Sequence, residues 1–327
     1  MKIAIIGLGA IGKVHAEALA LLGTPAALLC DIDPARAEAV RNEFAAGAEI
    51  YTDWVKMLAE AKPDAVHICT PHYLHAAMVV AALNAGINVL CEKPLCISEA
   101  EIGEILRAEA SSTARLGVCH QNRYNDVSVF LKEYLGTRKI LGAHGAVAWQ
   151  RTAEYYASAD WRGTWALEGG GALINQALHT LDLLIWLCGE PQAVAAMNAN
   201  LTLQDKIEVE DTVALRCFGE VPYSFFATVG AGESFPVELQ FRLAGGDRLL
   251  ALPKTVLLNG AVISTGTSSC TLGKECYGDG HLRLFADYYS CLATGKRFAV
   301  DGAEAAKVVR LILRAYKSKG NVMPYKE

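Results

Sequence analysis

No run of Lys or Arg occurs in this sequence of 327 residues, whose formal net charge is -5. Nucleic acid and anionic membrane surfaces are therefore not expected as partners. No uncharged apolar stretch reaches the ~20 residues that a helix needs to cross a bilayer. The most apolar candidate, within 168–191, is broken by His179 and Asp182. The opening MKIAIIGLGAIG lacks the longer apolar core and the cleavage site of a signal peptide, and glycines interrupt it, so a cytoplasmic location is expected. The ten cysteines, at 30, 69, 91, 96, 119, 188, 217, 270, 276 and 291, form no CxxC and no Cys/His pair at zinc spacing. Several lie in apolar runs such as AVHICT and NVLCE and read as buried thiols of a reducing compartment. HExxH and a carboxylate cluster are missing too, so no metal is expected. There are no repeats and no low-complexity linker.

What is present is apolar material in a definite rhythm. Hydrophobic residues make up 52% and charged residues 20%, enough for a sizeable core. Up to about residue 122, short apolar runs (KIAIIG, PAALLCDID, DAVHICT, NVLCEKP, RLGVCHQ) alternate with helical patterns. The runs do not alternate polar with apolar, so both faces of their sheet should be covered. This predicts an α/β fold with a doubly wound parallel sheet over 1–122. Beyond it come a helix, a strand, a Tyr/Trp-rich segment, one long helix, and a series of short strands between 191 and about 263. Turn signals such as AGGD separate those strands, and two helices close the chain. Residues 123–327 therefore read as an α+β domain with a mostly antiparallel sheet.

GLGAIG places Gly7, Gly9 and Gly12 between the first strand and the first helix. Gly7 permits the tight turn, Gly9 lets a pyrophosphate approach the backbone, and Gly12 lets helix and strand pack closely. Asp31 ends the second strand, 19 residues after Gly12, where an acid can accept hydrogen bonds from ribose hydroxyls and repel a 2′-phosphate. NAD is the expected cofactor, with NADP kept open by nearby Arg36. Lys93 sits in the loop after the fifth strand, aimed at the crevice where such sheets bind ligands, with Pro94 stiffening the turn.

The helix in EGGGALINQALHTLDLLIWLCGEP is apolar except for Asn175, His179 and Asp182. At about 100° per residue these share one face, which Trp186 continues. The preceding glycines could let a ligand approach the backbone closely. A buried polar network would also place such groups on an apolar helix. A second candidate group at a cofactor crevice, Lys93, favours a functional stripe. Asp182 reads as a partner for a ring nitrogen rather than a reacting group.

Taken in order, GLGAIG, TPHYLH, EKP, DWRGTW and GGGALINQALHTLD resemble the glucose–fructose oxidoreductase/inositol dehydrogenase (Gfo/Idh/MocA) family over nearly the whole chain. The resemblance implies a Rossmann domain followed by an α/β domain with a large open sheet, through which dimers or tetramers form. It implies NAD(P)-dependent oxidation or reduction of a sugar, cyclitol or sugar-derivative hydroxyl. It matches Lys93 and His179 to the catalytic lysine and histidine, and puts Asn175 where many members carry aspartate. Cofactor positions implied are Gly7, Gly9, Ala10, Ile11, Gly12, Asp31, Arg36, Thr70, Pro71, His72, His75, Glu92, Lys93, Gln121, Trp161 and Arg162.

The expected mechanism has His179 taking the hydroxyl proton while cationic Lys93 stabilises the developing alkoxide. Asn175 would orient His179 or bind a sugar hydroxyl. Arg123, Tyr155, Tyr156, Trp161 and Arg162 are further substrate-side candidates; an exposed Tyr/Trp cluster fits stacking on a sugar ring and equally fits loop packing. Tyr277 and His281 either reach the site or cap the following helix. Two alternatives stay open: a glycoside-cleaving or eliminating enzyme that retains NAD, and a non-catalytic sensor of NAD or sugar.

Overall fold

The protein is described by a computed structural model covering residues 1–267, 272 and 278–326; Cys270, Cys276 and Tyr277 lie outside the described residues. The chain divides into two compact units, Met1–Tyr124 with Ser269–Ala306, and Asn125–Ser268 with Lys307–Glu327.

In the first unit, strands β1 (Ile3–Ile6), β2 (Leu28–Cys30), β3 (Glu49–Tyr51), β4 (Ala65–Ile68), β5 (Asn88–Cys91) and β6 (Leu116–Val118) alternate with helices α1 (Ala10–Leu21), α2 (Pro34–Phe44), α3 (Trp54–Ala61), α4 (His72–Asn84) and α5 (Glu99–Ser111). The strands are all parallel, in the order β3-β2-β1-β4-β5-β6. Every residue of β1, β2, β4 and β6 is buried, as apolar runs covered on both faces should be. Asp33, Asp53 and Ser98 cap α2, α3 and α5 with side-chain oxygens. Helices α1 and α4, whose N-cap residues are Gly9 and Pro71, have no side-chain cap. These two follow β1 and β4, the neighbours at which the strand order reverses. Their first-turn amides are thus left for a ligand where such sheets bind one.

Helix α9 in chain order (Gly280–Thr294) also belongs to this unit. The Tyr288 hydroxyl donates to the Val89 carbonyl at 2.8 Å. Its ring lies so close to Gly117 that a Cβ there would meet it at 2.8 Å.

The second unit holds α6 (Asp126–Gly136), β7 (Ile140–Ala148), α7 (Ala153–Ala157), α8 (Leu178–Cys188), and strands β8 (Ala193–Ala199), β9 (Thr212–Phe218), β10 (Tyr223–Thr228), β11 (Glu238–Leu243), β12 (Arg248–Leu252), β13 (Thr255–Leu258) and β14 (Ala261–Thr265). From Lys307 onward it also takes in α10 (Gly302–Ser318) and β15 (Met323–Pro324). The nine strands form one sheet, ordered β14-β13-β12-β11-β7-β10-β9-β8-β15. Only β7 and β10 run parallel among its named pairs; the rest are antiparallel. Strands β9, β10 and β11 alternate buried with more exposed residues. The buried side packs on α8, whose Leu184 approaches Gly145 of β7. The opposite side leaves Met197, Phe218 and Phe226 exposed. No described helix is long and apolar enough to cross a membrane.

The long helix expected around 172–188 is not one regular α-helix. Residues Ala172–Gln176 form a π-helical turn before α8, and the Ala177 amide bonds the Ala172 carbonyl five residues back. The 100° arithmetic therefore fails between Asn175 and His179 and holds only from His179 to Asp182.

The glycines before this turn are consumed by the protein's own packing rather than kept open for a ligand. A Cβ on Gly171 would lie 2.0 Å from the Glu210 carbonyl oxygen, and one on Gly170 would lie 2.2 Å from the Tyr316 hydroxyl. The Glu210 carboxylate accepts from the amides of Gly171 (2.8 Å) and Leu173 (2.9 Å) and from the Tyr316 hydroxyl (2.9 Å). Gly171→Ala should accordingly cost about 3 kcal/mol or more by overpacking, read as a lowered urea midpoint.

Burial pushes the Glu210 carboxyl up to about 7, against hydrogen bonds from Leu173, Tyr316 and Gly171 that pull it down. A carboxyl raised in the folded state binds its proton more tightly there. Its contribution to stability is thus full below the unfolded value of about 4.3 and lost as pH rises through about 7. Glu210→Gln removes that titration. The variant's stability relative to wild type should rise between pH 5 and 8, by up to about 3 kcal/mol, in paired melts across that range.

Candidate active site

In the first unit, the three glycines do three different things. Gly7 has φ +86° and could not carry a Cβ, which would meet the Cys69 carbonyl oxygen at 2.7 Å. Gly12 packs against Gly7, whose carbonyl oxygen would lie 2.0 Å from a Cβ. Gly9 has nothing within 4 Å of that position, so its exposed backbone, with exposed Ala10 and part-exposed Ile11, is open at the start of α1. An open, uncapped helix start suits a pyrophosphate.

Asp31 lies just past β2, largely buried, accepting from the Leu8 amide at 2.7 Å and the Asp33 amide at 2.9 Å. Each carboxylate oxygen thus keeps a lone-pair site for a ribose hydroxyl. Arg36, half exposed, reaches Asp31 at 3.7 Å and Asp33 at 3.4 Å. Its charge is balanced by two acids, which fits NAD better than a 2′-phosphate. These residues fit a dinucleotide.

The other crevice loops carry both surface groups and internal braces. Lys93 is half-buried just beyond β5, its amide donating to its neighbour's Glu92 Oε2 at 3.1 Å, and the Lys93–Pro94 peptide is cis. His75 is fully buried, with Nδ1 2.7 Å from the Pro94 carbonyl oxygen and Nε2 2.8 Å from that of Thr70. It ties the loop after β4 to the loop after β5, so both ring nitrogens are engaged within the protein. Glu92 is likewise buried, with Oε1 3.0 Å from His15 Nε2. His72 and Gln121 are buried; Thr70 and Pro71 are half-buried, and Thr70 bonds Met78 through its hydroxyl at 3.5 Å. Arg123 is buried and ion-paired with Glu304 at 3.0 Å, a commitment that the isolated sequence does not reveal.

In the second unit, every residue from 168 to 185 is buried except Asn175 and His179, which are half-buried. Two of the three positions singled out by polarity are therefore ones that solvent reaches. Asp182 is buried one turn beyond His179. Asn175 donates through its amide to Glu168, whose other oxygen accepts from the Gly163 amide. Trp186 is covered by the Lys132 ammonium, 4.8 Å from its ring.

The Tyr/Trp-rich segment splits in two. Tyr156 is buried in a cluster with Ala172, Leu203, Ile207, Val209 and Val229, so it is a core residue rather than part of an exposed stacking surface. Tyr155, half-buried, lies between Arg151 and Arg162, whose guanidinium carbons sit 5.1 and 4.4 Å from its ring centre. Its hydroxyl accepts from Arg162 and from Gln176 (2.8 Å). Trp161, also half-buried, stacks with Arg162 at 4.6 Å. Arg151, Gln176 and Glu168 were not anticipated; Glu168, immediately before the glycines, was the one with a visible signal.

Residues 1–120 match the oxidoreductase family with an NAD-binding Rossmann fold, and residues 136–245 match the GFO/IDH/MocA C-terminal domain. The chain belongs to the GFO/IDH/MocA family. It is similar to an inositol 2-dehydrogenase of Paracoccus denitrificans, 27% identical over 98% of this chain and 95% of that protein. A D-glucoside 3-dehydrogenase of Escherichia coli is 27% identical over 61% of this chain and 57% of its own length. Among solved structures, the WlbA dehydrogenase of Bordetella pertussis, in complex with NADH and UDP-GlcNAcA, superimposes with a TM-score of 0.84. It is 27% identical, covering 99% of this chain and 98% of that one. The chain is thus an NAD-dependent oxidoreductase of this family.

Asp31 is the residue expected to choose between nucleotides. Asp31→Ser should weaken NAD about tenfold and narrow the NAD-over-NADP preference, as read by fluorescence titration with each reduced cofactor.

Proposed function

We propose that this protein oxidises a secondary hydroxyl of a sugar or cyclitol, with Lys93 and His179 as the groups that act on that hydroxyl. The observation that carries the reading is the exposure pattern of 168–185, in which only Asn175 and His179 are left reachable. A buried network would have no reason to open at those two positions. The named activities of the inositol and glucoside dehydrogenases support the substrate class.

Bound NAD supplies the hydride acceptor. His179 takes the hydroxyl proton, a task suited to an imidazole near neutral pH. Lys93 places its ammonium on the same oxygen and stabilises the negative charge that develops there. Asn175, held by Glu168, fixes a second substrate hydroxyl, and buried Asp182 orients the imidazole. Gly9, Ala10, Ile11 and Asp31 hold the dinucleotide. Ile32, almost fully exposed beside Asp31, offers an apolar surface for the adenine. The exposed Met197, Phe218 and Phe226 support association of two or four copies through the nine-stranded sheet.

A panel of inositols, free sugars and glycosides with NAD and NADP, followed by absorbance of the reduced cofactor, tests the reading. Turnover of a polyol with NAD is expected. A glycoside cleaved with no net NADH, by protein that retains NAD, would replace it.

A further inference from the structure

Beside the Lys93 backbone amide lies a line of polar side chains drawn from four segments, all in the first unit. The half-buried Tyr289 of α9 places its hydroxyl 2.6 Å from His67 Nε2, on β4. His67 Nδ1 is 2.8 Å from His15 Nδ1, on α1. His15 Nε2 is 3.0 Å from Glu92 Oε1, and His281 Nε2, on α9, is 3.4 Å from the same oxygen. Glu92 Oε2 accepts the Lys93 amide. Phe285 walls the line, its ring centre 4.7 Å from that of His15 and 4.9 Å from that of His67.

A neutral imidazole has one donor nitrogen and one acceptor nitrogen, and an ionised carboxylate only accepts. With Glu92 ionised, His15 must carry its proton on Nε2, so its Nδ1 accepts. His67 must then carry its proton on Nδ1, and its Nε2 accepts from the Tyr289 hydroxyl. One charge at one end dictates every hydrogen position along the line. A protonated Glu92 could reverse the whole sequence, but the Lys93 amide and His281 both favour the ionised form.

We propose that Tyr289, His67 and His15 form a one-way hydrogen-bond chain that keeps Glu92 ionised next to Lys93, making all four positioning residues for the ammonium. Burial holds His15 and His67 below the ordinary histidine range, so both are neutral at pH 7. Burial would raise the Glu92 carboxyl, yet the bonds from His15 and His281 outweigh it and hold it well below the carboxylate range. The other titratable groups facing Glu92 are Cys69 after β4, His75 on α4, Cys91 on its own strand and Cys119 after β6. Burial pushes the three thiols up, so none of them is charged near neutrality, and burial lowers His75 against the two carbonyl oxygens at its ring nitrogens. The functional half of the proposal rests on the reading of Lys93 given above; the direction of the chain does not.

Nitrogen-15 NMR of histidine-labelled protein, with bound metal measured on the same sample by inductively coupled plasma mass spectrometry, reads the chain. The expected result is neutral His15 protonated on Nε2 and neutral His67 protonated on Nδ1 at pH 7. His15 protonated on Nδ1, or on both nitrogens, would overturn the proposal. So would one metal ion per chain, since the His15, Glu92 and His281 ligand atoms lie within 4.8 Å of one another. The effect on Lys93 is read from protein reductively methylated with ¹³C-formaldehyde, with Lys93→Arg assigning the signal. Glu92→Gln should lower the Lys93 titration midpoint by about one pH unit and mix the two histidine tautomers. An unmoved midpoint in folded Glu92→Gln protein would discard the positioning role. If that variant does not fold, the wild-type tautomers decide the matter. Neither readout needs a substrate, so failure of the dehydrogenase reading would leave both intact.

Discussion

Lys93→Ala should lower kcat by about a thousandfold while NADH binding stays within a few-fold of wild type. The asymmetry follows from where each task resides. In the proposed reading the dinucleotide rests on the open turn at Gly9, the uncapped start of α1 and the carboxylate of Asp31, whereas Lys93 acts on the substrate oxygen. In the proposed mechanism the ammonium adds charge at the substrate oxygen, needed most when the proton has left and the hydride has not. Because that interaction strengthens in the transition state, the loss should fall on kcat more than on KM. Lys93→Arg keeps the charge but not the shape, and should recover only part of the rate. Rapid-mixing kinetics with the best polyol from the substrate panel, alongside fluorescence titration of NADH, separates the two effects. Wild-type turnover in Lys93→Ala would discard the mechanism.

His179→Ala should cost a factor of roughly 10² to 10⁴ in kcat/KM and flatten its acid limb. An imidazole titrates near pH 6.5, and a base must be unprotonated to act. Wild-type activity should therefore fall as pH drops below neutrality, whereas the alanine variant has no such group to lose. Activity should return in part as pH rises and hydroxide substitutes for the base. His179→Gln fills the same half-buried position without a proton acceptor of comparable basicity, so it should behave like alanine. An unchanged pH profile in either variant would place the base elsewhere.

The parts of this architecture legible in the sequence were those set by local rules. Gly7, Gly9 and Gly12 differ in the structure as the turn, the phosphate approach and the helix–strand contact require. The continuous apolar runs became a parallel sheet, and the short strands set between turn signals after residue 191 became part of a mostly antiparallel sheet. The periodicity around Asn175 misled in its details, because helical arithmetic assumes i→i+4 bonding. The turn at Ala172–Gln176 bonds five residues back.

The illegible parts were those decided by residues distant in the chain. The run of three glycines is shaped by Glu210 and Tyr316, some 40 and 145 positions away. Tyr155 and Tyr156 are neighbours of the same type, yet one is gripped by two arginines and the other is core. No pattern in the sequence separates them. His75 and Glu92 stand in motifs associated with the cofactor, but their ring nitrogens and oxygens are taken up by the protein. The chain from Tyr289 to Glu92 joins segments up to 274 positions apart, from His15 to Tyr289. Helix α9 belongs with a sheet whose last strand precedes it by more than 160 residues.

The central proposal is that Lys93 and His179 both act on the substrate hydroxyl. A crystal structure of the complex with NADH and an unreactive deoxy or keto analogue of the best substrate tests it most directly. The account predicts Lys93 Nζ and His179 Nε2 each within about 3.2 Å of the same substrate oxygen, on the nicotinamide face that receives the hydride. Nitrogens that approach different oxygens, or lie on opposite faces of the ring, would contradict it.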